Sequence, residues 1–352
     1  MNLNFTMDFA NSLTQWYLNN KRDLPWRNTK DPYLIWLSEI MLQQTRVAQG
    51  MPYYHAFTKA FPTVFDLANA SEQEVLKLWQ GLGYYSRARN LHKTAQHIAQ
   101  NLNGVFPSNF KDLLNLKGVG AYTAAAIASF SYEEAVPVVD GNVFRVLARY
   151  FDIQTDIQSN IAQKEFFELA YELMTKEKPA LFNQAIMEFG ALQCVPKNPD
   201  CNICPLNEGC LARYKKEVHL LPVKVKKLTI RNRYFNYLVF LDGDGNTIIN
   251  KRSQKGIWQN LYEFPLIESP SIMEMKDFES QIRNQKIVDN SIASLEEVHS
   301  KSQLHKLTHQ HLHIKFWRVT VHGSITNGIN YTNLMTYPFP IVLHNFIEKD
   351  WF

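Results

Sequence analysis

LKGVGAYTAAAIASFSYEEAVPVVDGNVFRVLARY, residues 116–150, is the stretch that decides how the first half of the chain folds. Gly118 and Gly120 tolerate backbone conformations that other residues avoid, and an alanine-rich segment of high helix propensity follows them. This pattern predicts a tight hairpin that leads into a helix. Because the first N–H groups of a helix have no partner within it, the turn can bind an anion such as phosphate. Asp140 stands before a second predicted helix.

The bulk composition limits the class of protein. With 352 residues, of which 45% are hydrophobic, the chain is long enough for two domains with real cores. A formal charge of +4 permits a nucleic-acid partner without requiring one. No apolar run reaches the roughly 20 residues of a membrane span, and the N-terminal residues lack the pattern of a signal peptide. We therefore expect a soluble cytoplasmic protein with no membrane partner.

Helical patterns continue through the first 210 residues or so. Asp31 followed by Pro32 signals a helix start, and the helix predicted over residues 33–45, YLIWLSEIMLQQT, is apolar on nearly every side. Within it, Glu39 has two interpretations. A carboxyl group buried among apolar neighbours has a raised pKa, which suits a general acid. Alternatively, Glu39 faces solvent on the one polar stripe of the helix.

Two tyrosines, Tyr84 and Tyr85, are followed by two arginines, Arg87 and Arg89, after a Gly-Leu-Gly turn. Such a pairing suits stacking on bases and contact with phosphates. The alternative is a packed aromatic corner beside a solvated basic helix. Further along, residues 214–231 form a basic linker, which either follows a phosphate backbone or only connects two domains.

Beyond the linker the pattern predicts a mixed α and β domain. Residues 234–252, YFNYLVFLDGDGNTIINKR, read as a β-hairpin with Asp-Gly-Asp-Gly-Asn as its turn, and residues 311–323 alternate like a strand. A helix is expected within residues 271–298. His305, His309, His311 and His313 suggest either a metal site or, more simply, a polar strand face.

All four cysteines lie in one short segment, separated by six, two and five residues: Cys194, Cys201, Cys204 and Cys210. A disulfide framework would spread its cysteines along the chain, so a shared metal centre is the better interpretation. Four thiolates suit Zn²⁺ or an iron–sulfur cluster, and spacing alone does not choose between them. A cluster of buried, metal-free cysteines is the remaining alternative.

Several segments resemble a known family in the same order. The hairpin LKGVGAYTA, the downstream VDGNVFRV and the cysteine loop resemble the helix-hairpin-helix DNA glycosylases that carry a [4Fe–4S] cluster. Further matches resemble the adenine glycosylases of the MutY family, namely PWR at residues 25–27, SEIMLQQT at 38–45, GLGYYSRARNL at 81–91 and FNQA at 182–185.

The resemblance implies a multi-domain fold. An all-α helix-hairpin-helix glycosylase domain with a [4Fe–4S] loop would span residues 1–213, the linker residues 214–231, and an α/β MutT-like (Nudix-fold) domain residues 232–352. It implies a monomeric, nucleoid-associated bacterial-type enzyme that excises adenine opposite 8-oxoguanine or guanine in duplex DNA. The alternatives are an endonuclease III-type lyase and a non-catalytic iron–sulfur protein that binds DNA.

The resemblance also assigns catalytic roles. Glu39 matches the acid that protonates adenine at N7, and Asp140 matches the anion that stabilises the oxocarbenium-like sugar, a role compatible with a plain helix N-cap. Tyr122 and Asn142 match residues that orient the acid, the base or the water. Where the endonuclease III-type lyases carry a lysine, Tyr122 cannot form a Schiff base, so a monofunctional glycosylase is expected.

Binding residues follow from the same matches. The adenine pocket would be walled by Trp26, Arg27, Leu42, Gln184 and Met187, although core packing is an alternative for the three apolar ones. The residues that would enter the duplex are Gln44, Thr45, Leu82 and Tyr84. The hairpin residues that would contact the DNA backbone are Lys117, Gly118 and Gly120, with Lys117 in place of the family's usual proline.

In the C-terminal region, GIWQNLYEFP at residues 256–265 resembles the MutT-like domain, but the glutamate-rich box of the Nudix hydrolases is missing, so nucleotide hydrolysis is not expected. Leu307, Thr308 and His309 match the segment that reads 8-oxoguanine. Because the family usually has phenylalanine where Leu307 stands, stacking area is lost and weaker affinity for the oxidised base is expected.

Overall fold

The computed structural model describes residues 3–225, 229–284 and 291–351. The chain packs as two units. The first contains Met1–Asn69 and Asn90–Lys226, and the second contains Ala70–Arg89 and Lys227–Phe352. Residues 70–89 therefore pack with the C-terminal part of the chain, although their sequence suggested the helical domain. Among the described residues, no helix has the length and apolar character needed to cross a membrane.

The first half of the chain is helical, as predicted. Its helices are α1 (Leu3–Asn20), α2 (Pro32–Leu42), α3 (Val47–Ala60), α4 (Val64–Asn69), α5 (Glu72–Leu78), α6 (Ser86–Asn101), α7 (Phe110–Leu113), α8 (Ala121–Tyr132), α9 (Gly141–Phe151), α10 (Asn160–Leu173), α11 (Pro179–Leu192) and α12 (Leu211–Tyr214), with a 3₁₀ turn at Pro25–Arg27. Of these, α5 belongs to the second unit and α6 begins in it.

Local sequence signals explain where α2 begins. The side chain of Asp31 accepts a hydrogen bond from the Tyr33 backbone N–H at 2.9 Å, and Pro32 occupies the first helical position. The predicted end of this helix is wrong, because α2 stops at Leu42. Gln44 adopts a left-handed conformation with φ of 56°, which turns the chain away from the helix axis.

The hairpin that precedes α8 packs closely against α6. Gly118 has φ of +78°, and a Cβ atom there would lie 2.7 Å from the Cβ of Asn90, so the turn requires glycine. Gly120 is extended and has open space around it. From α6, the Thr94 hydroxyl donates to the carbonyl oxygen of Lys117 at 2.7 Å, which ties the turn to the helix behind it.

The core of the first unit includes the start of the predicted linker. Residues such as Leu147, Phe166 and Phe189 form a buried cluster, and both Leu221 and Val223 pack with it. The backbone N–H of Ile157 also donates to the Val223 carbonyl. This part of the predicted linker is neither a free connector nor a solvated tail, because its apolar side chains complete the core. Residues 226–228 of the linker lie outside the described residues.

The second unit contains a mixed sheet and two further helices. Its elements are β1 (Arg231–Leu241), β2 (Asn246–Thr247), β3 (Asn250–Lys251), β4 (Tyr262–Glu263), β5 (Leu266–Ser269), α13 (Met275–Asn284), β6 (Ile292–Glu297), β7 (Gln303–Lys306), β8 (Gln310–Val321), β9 (Ile329–Asn330), a 3₁₀ turn at Tyr331–Thr336 and α14 (Ile341–Lys349). The main sheet has the order β5-β1-β8-β6, and β7 also pairs with β8.

The predicted hairpin over residues 234–252 is wrong in its pairing. Strand β1 pairs in parallel with β8 along its whole length and antiparallel with β5, so both of its edges are occupied. The Asp-Gly-Asp-Gly-Asn turn is present, with the Asp242 carboxylate accepting bonds from two backbone N–H groups within it. After this turn, β2 pairs with the distant strand β9 instead of β1.

Helices cover both faces of this sheet. Phe278 of α13 stacks on Trp317 at 4.1 Å between ring centroids, and Phe346 of α14 stacks on Phe316 at 3.8 Å. Because adjacent residues of a strand point to opposite faces, the two helices lie on opposite sides of β8. The predicted fold class, a helical domain followed by an α/β domain, is confirmed.

Candidate active site

A cavity of about 540 Å³ in the first unit brings most of the predicted catalytic and pocket residues together. They come from the 3₁₀ turn, α2, α8, α9 and α11, which are far apart in sequence. The predicted residues that line it are Trp26, Arg27, Glu39, Leu42, Thr45, Tyr122, Asp140, Asn142, Gln184 and Met187. Core packing alone does not describe the apolar walls, because Trp26, Leu42 and Met187 also line the cavity.

Glu39 is buried, with 6% of its surface exposed, so its solvent-facing interpretation is wrong. Burial raises the pKa of Glu39 to about 7, and the nearby charge of Asp140 acts in the same direction. A hydrogen bond with Tyr122 and the positive charge of Arg27 oppose this rise. Glu39 can therefore hold or release a proton near neutral pH.

Asp140 is the N-cap of α9. Its carboxylate accepts hydrogen bonds from the backbone N–H groups of Asn142 and Val143, each at 2.8 Å, and from the Asn142 side chain at 2.7 Å. Burial raises the pKa of Asp140 from its ordinary value, while these bonds and the charge of Arg145 act against the rise. The helix cap thus stabilises the ionised form of Asp140, as the sequence predicted. The effect of burial on the pKa of Asp140 is larger, so the pKa is raised overall.

Tyr122 lies beside Glu39 at the start of α8. Burial, followed by the charges of Glu39 and Asp140, raises the pKa of Tyr122 well above its ordinary value, so the group remains a neutral phenol that can donate a hydrogen bond. Arginine is the basic residue type on the cavity wall, and no lysine of the described chain lines it.

The residues predicted to contact the duplex are distributed between the units. Lys117, Gly118, Gly120 and Gln44 are exposed on the first unit. On the second unit, Leu82 is buried, which differs from its predicted role of entering DNA.

Tyr84 is nearly half exposed, and its hydroxyl lies 2.5 Å from that of Thr308 in the second unit. Leu307, Thr308 and His309 form the tip between β7 and β8, where Thr308 and His309 are exposed. By contrast, Arg87 is buried and donates to the Gly83 carbonyl, so the packed-corner interpretation holds for this residue.

The four cysteines line one small cavity in the first unit, and all are free thiols: Cys194, Cys201, Cys204 and Cys210. Burial raises the pKa of Cys204 to about 11, and the charges of the three neighbouring cysteines add to the rise. Within the described ranges, no three His, Cys, Asp or Glu residues approach closely enough to hold a single metal ion. The four C-terminal histidines belong to no such group within the part of the chain that the structure describes.

Family comparisons agree with this architecture. The model of the HhH-GPD superfamily of base excision DNA repair proteins matches residues 37–171, and the model of the NUDIX domain matches residues 236–349. A relative named adenine DNA glycosylase from Buchnera aphidicola subsp. Schizaphis graminum is 36% identical over 309 residues, which cover 87% of this chain and 86% of the relative. This chain belongs to the adenine DNA glycosylase family.

A relative from another organism and solved structures are consistent with this. The human adenine DNA glycosylase is 44% identical over 218 residues, covering 59% of this chain and 40% of the human protein. The structure of a thermostable thymine-DNA glycosylase has a TM-score of 0.56 at 31% identity, over 60% of this chain and 97% of that one. A non-covalent endonuclease III–DNA complex, with a TM-score of 0.51 at 21% identity over 59% of this chain and 94% of that one, shares the fold.

In this member of the adenine DNA glycosylase family, the predicted catalytic residues and the predicted pocket walls come from different parts of the chain. Glu39, Tyr122, Asp140 and Asn142 lie inside the segment that the superfamily model matches. The walls formed by Trp26, Arg27, Gln184 and Met187 lie outside it. The segment that the superfamily model matches thus contains the predicted acid and anion, and the flanking segments contain much of the predicted base pocket.

The residue that organises these flanking segments was not among the predicted site residues. Glu188, with a side chain 1% exposed, accepts bonds from the Arg22 backbone and guanidinium and from both terminal nitrogens of Arg27. Burial opposes its ionisation, yet these bonds lower the pKa of Glu188 to about 2. A lone glutamate in the apolar helix α11 was the available signal, of the same kind that drew attention to Glu39.

Arg145 was also missed, and it joins the active site of this family member to its cysteine loop. Its guanidinium donates to the Asn142 side-chain oxygen at 2.8 Å and to the Cys194 carbonyl at 2.7 Å. Asn142 in turn donates to Asp140. Nothing in the sequence around Arg145, four positions after the start of α9, predicts this link.

Proposed function

We propose that the chain excises adenine from duplex DNA by hydrolysing the N-glycosidic bond, and that its substrate is adenine paired with 8-oxoguanine or guanine. The observation that carries the proposal is the buried carboxyl of Glu39, which shares one cavity with Asp140 and has a pKa of about 7. The family relationship supports the same activity.

Base removal begins outside the helix. The adenine nucleotide must leave the stack before any side chain can reach its ring, and a cavity of about 540 Å³ is large enough for a base. Glu39 in its protonated form then transfers a proton to N7 of the ring. Protonation makes adenine a neutral leaving group and weakens its bond to the sugar.

As the base departs, the sugar gains positive charge, and an anion beside it lowers the barrier. Asp140 supplies that charge, because three hydrogen bonds from Asn142 and Val143 stabilise its ionised form. Water then attacks the sugar. The two carboxyl groups divide the work, with one protonated and one ionised, as glycoside hydrolysis requires.

The reaction stops at base removal. Strand cleavage by a lyase needs an amine that forms a Schiff base with the opened sugar. Tyr122 stands beside Glu39 as a neutral phenol, and arginines provide the basic groups of the cavity wall in the described chain. The proposed enzyme is therefore monofunctional and leaves an intact strand with an abasic site.

A strand-cleavage assay tests the activity. The protein is incubated with duplexes that hold adenine opposite 8-oxoguanine, guanine or thymine, and each sample is divided before one half receives hot alkali. We expect breaks at adenine in the alkali-treated halves of the two mispaired duplexes. Breaks without alkali would show a lyase, and equal binding to all duplexes without released adenine would show a non-catalytic DNA-binding protein.

Recognition of the base opposite adenine is proposed for the second unit. Tyr84 and Thr308 meet through their hydroxyl groups at 2.5 Å, and Thr308 stands at the exposed tip between β7 and β8. Together with His309 they present an aromatic ring and polar groups, which suit an oxidised purine. Leu307 offers less stacking area than an aromatic residue, so we expect modest preference for 8-oxoguanine over guanine.

A [4Fe–4S] cluster is proposed for the four cysteines. All four thiols line one cavity, and four thiolates from one short loop are a ligand set that suits an iron–sulfur cluster. Arg149 supports the loop by donating to the Sγ of Cys194 and to the Val195 carbonyl. When bound, the cluster would crosslink the loop through its thiolates.

The cluster has a direct chemical test. Purified protein should be brown and contain iron and acid-labile sulfide in equal amounts, and both should be lost in the Cys204→Ala variant. A colourless protein with one zinc per chain would contradict the proposal.

A further inference from the structure

Two helices outside the matched superfamily segment pack side by side behind the proposed adenine pocket. Tyr17 of α1 is 2% exposed, and its hydroxyl donates a hydrogen bond to the Oε1 of Gln184 on α11 at 2.6 Å. Gln184 lines the cavity, whereas Tyr17 stands behind it. The two residues are 167 positions apart in the chain.

Tyr17 also contacts the second polar wall of the pocket. The guanidinium carbon of Arg27 lies 5.7 Å from the centroid of the Tyr17 ring, while Glu188 holds the same guanidinium from the other side. Burial raises the pKa of Tyr17, so its hydroxyl keeps the proton that it donates. One buried phenol therefore supports both Gln184 and Arg27.

The hydrogen bond decides which end of the Gln184 amide meets a base. A glutamine side chain can rotate by half a turn and exchange its donor and acceptor groups at little cost. Tyr17 donates to Oε1, and in the reversed amide the buried phenol proton would lose this acceptor, so the bond favours the observed orientation. The Nε2 amino group is then left for a base in the cavity that Gln184 lines. A fixed donor there complements a ring nitrogen that accepts.

Purines differ in the hydrogen-bonding character of ring nitrogen N1. N1 of adenine accepts a hydrogen bond, whereas N1 of a 6-oxo purine such as hypoxanthine carries a hydrogen and donates. A fixed amino group therefore favours adenine, whose N1 accepts its hydrogen bond. It disfavours the 6-oxo base, because the N1–H of that base and the amino group are both donors and would face each other unpaired. A freely rotating amide would turn its oxygen inward and tolerate both.

On the basis of the proposed function, we propose that Tyr17 is a positioning residue that fixes the Gln184 amide as a donor to adenine N1, and so makes the pocket discriminate against 6-oxo purines. Glu39 and Gln184 then read two different edges of one base, since the acid acts at N7. No substrate contact by Tyr17 itself is required.

The test compares single-turnover release of adenine and hypoxanthine from duplexes that hold deoxyadenosine or deoxyinosine opposite 8-oxoguanine. In Tyr17→Phe, which keeps the ring and removes the hydroxyl, the preference for adenine should fall by about fivefold, the size of one hydrogen bond. Tyr33→Phe is the matched control, because its buried hydroxyl donates to the Phe61 carbonyl at 2.7 Å and Tyr33 does not line the cavity. It should keep the wild-type preference.

The double variant Tyr17→Phe/Gln184→Ala distinguishes a positioning role from a general loss of structure. If Tyr17 acts through the amide, its substitution should leave the preference of Gln184→Ala unchanged. An unchanged preference in Tyr17→Phe, or an equal fall in Tyr33→Phe, would overturn the inference while the proposed function stands. If the wild-type protein releases no adenine at all, the proposed function fails first.

Discussion

The phenol of Tyr122 donates a hydrogen bond to the carboxyl group of Glu39 inside the cavity. This contact favours the ionised form of Glu39, whereas burial and the charge of Asp140 favour the protonated form. Because burial is the largest of these effects, the pKa of Glu39 is raised to about 7. The acid is thus set near neutral pH by two opposing groups of interactions.

The first prediction concerns the pH dependence of excision. Glu39 must be protonated to act, and its protonated fraction falls about tenfold for each pH unit above the pKa. The single-turnover rate should therefore decline above pH of about 7. A rate that stays constant up to pH of about 9 would show that proton transfer from Glu39 does not limit excision.

A second prediction follows from the hydrogen bond between Tyr122 and Glu39. In Tyr122→Phe, the hydrogen bond that favours ionised Glu39 is lost, so the pKa of Glu39 should rise further. The decline in rate should then begin at higher pH than in the wild type, whatever happens to the maximal rate. A decline that moves to lower pH would mean that Tyr122 stabilises the protonated acid instead.

The third prediction concerns stability. Glu188→Gln leaves the guanidiniums of Arg22 and Arg27 without their counter-charge, and breaking a buried ion pair in this way should reduce the free energy of unfolding by about 3 kcal/mol. Urea denaturation at neutral pH measures this. The pKa of Glu188 is lowered from 4.5 to about 2, so its contribution is complete above pH 4.5 and is lost as the pH falls through 2.

Glu133→Gln is the control for this change. Glu133 pairs with Lys30 at 3.2 Å, but both side chains are largely exposed, so the loss should stay below about 1 kcal/mol. Equal losses in the two variants would contradict the view that burial makes the Glu188 pair important.

A fourth prediction uses the two glycines of the hairpin. Gly118→Ala should destabilise the protein by about 1–2 kcal/mol because of its positive φ, with a further cost from the approach of Asn90. It should also weaken binding to undamaged duplex. Gly120→Ala should leave stability nearly unchanged, because the backbone there is extended and the space is open. Similar losses of stability in the two variants would contradict the view that the positive φ of Gly118 causes the effect.

Local chemistry made part of this fold predictable. The Asp31 cap and the cap at Asp140 both depend on residues within three positions of one another, and both are present. The helical and α/β character of the two parts of the chain followed from hydrophobic periodicity, which is equally local.

Long-range packing was not predictable in the same way. Nothing near Glu188 or Gln184 in the sequence indicates partners more than 160 positions away, in Arg22 and Tyr17. The pairing of β1 with β8 is similar, because the Asp-Gly-Asp-Gly-Asn turn looks like a hairpin wherever its second strand goes. The burial of Glu39 depends on α8 packing against α2, which no pattern within α2 reveals.

The most direct test of the account measures single-turnover release of adenine from an 8-oxoguanine·adenine duplex by the wild type, Glu39→Gln and Asp140→Asn. Each substitution keeps the size of the side chain and removes its proton or its charge. We predict that excision slows by at least about a hundredfold in each variant, while both still bind the duplex. Near-normal rates in both variants would contradict the assignment of acid and anion.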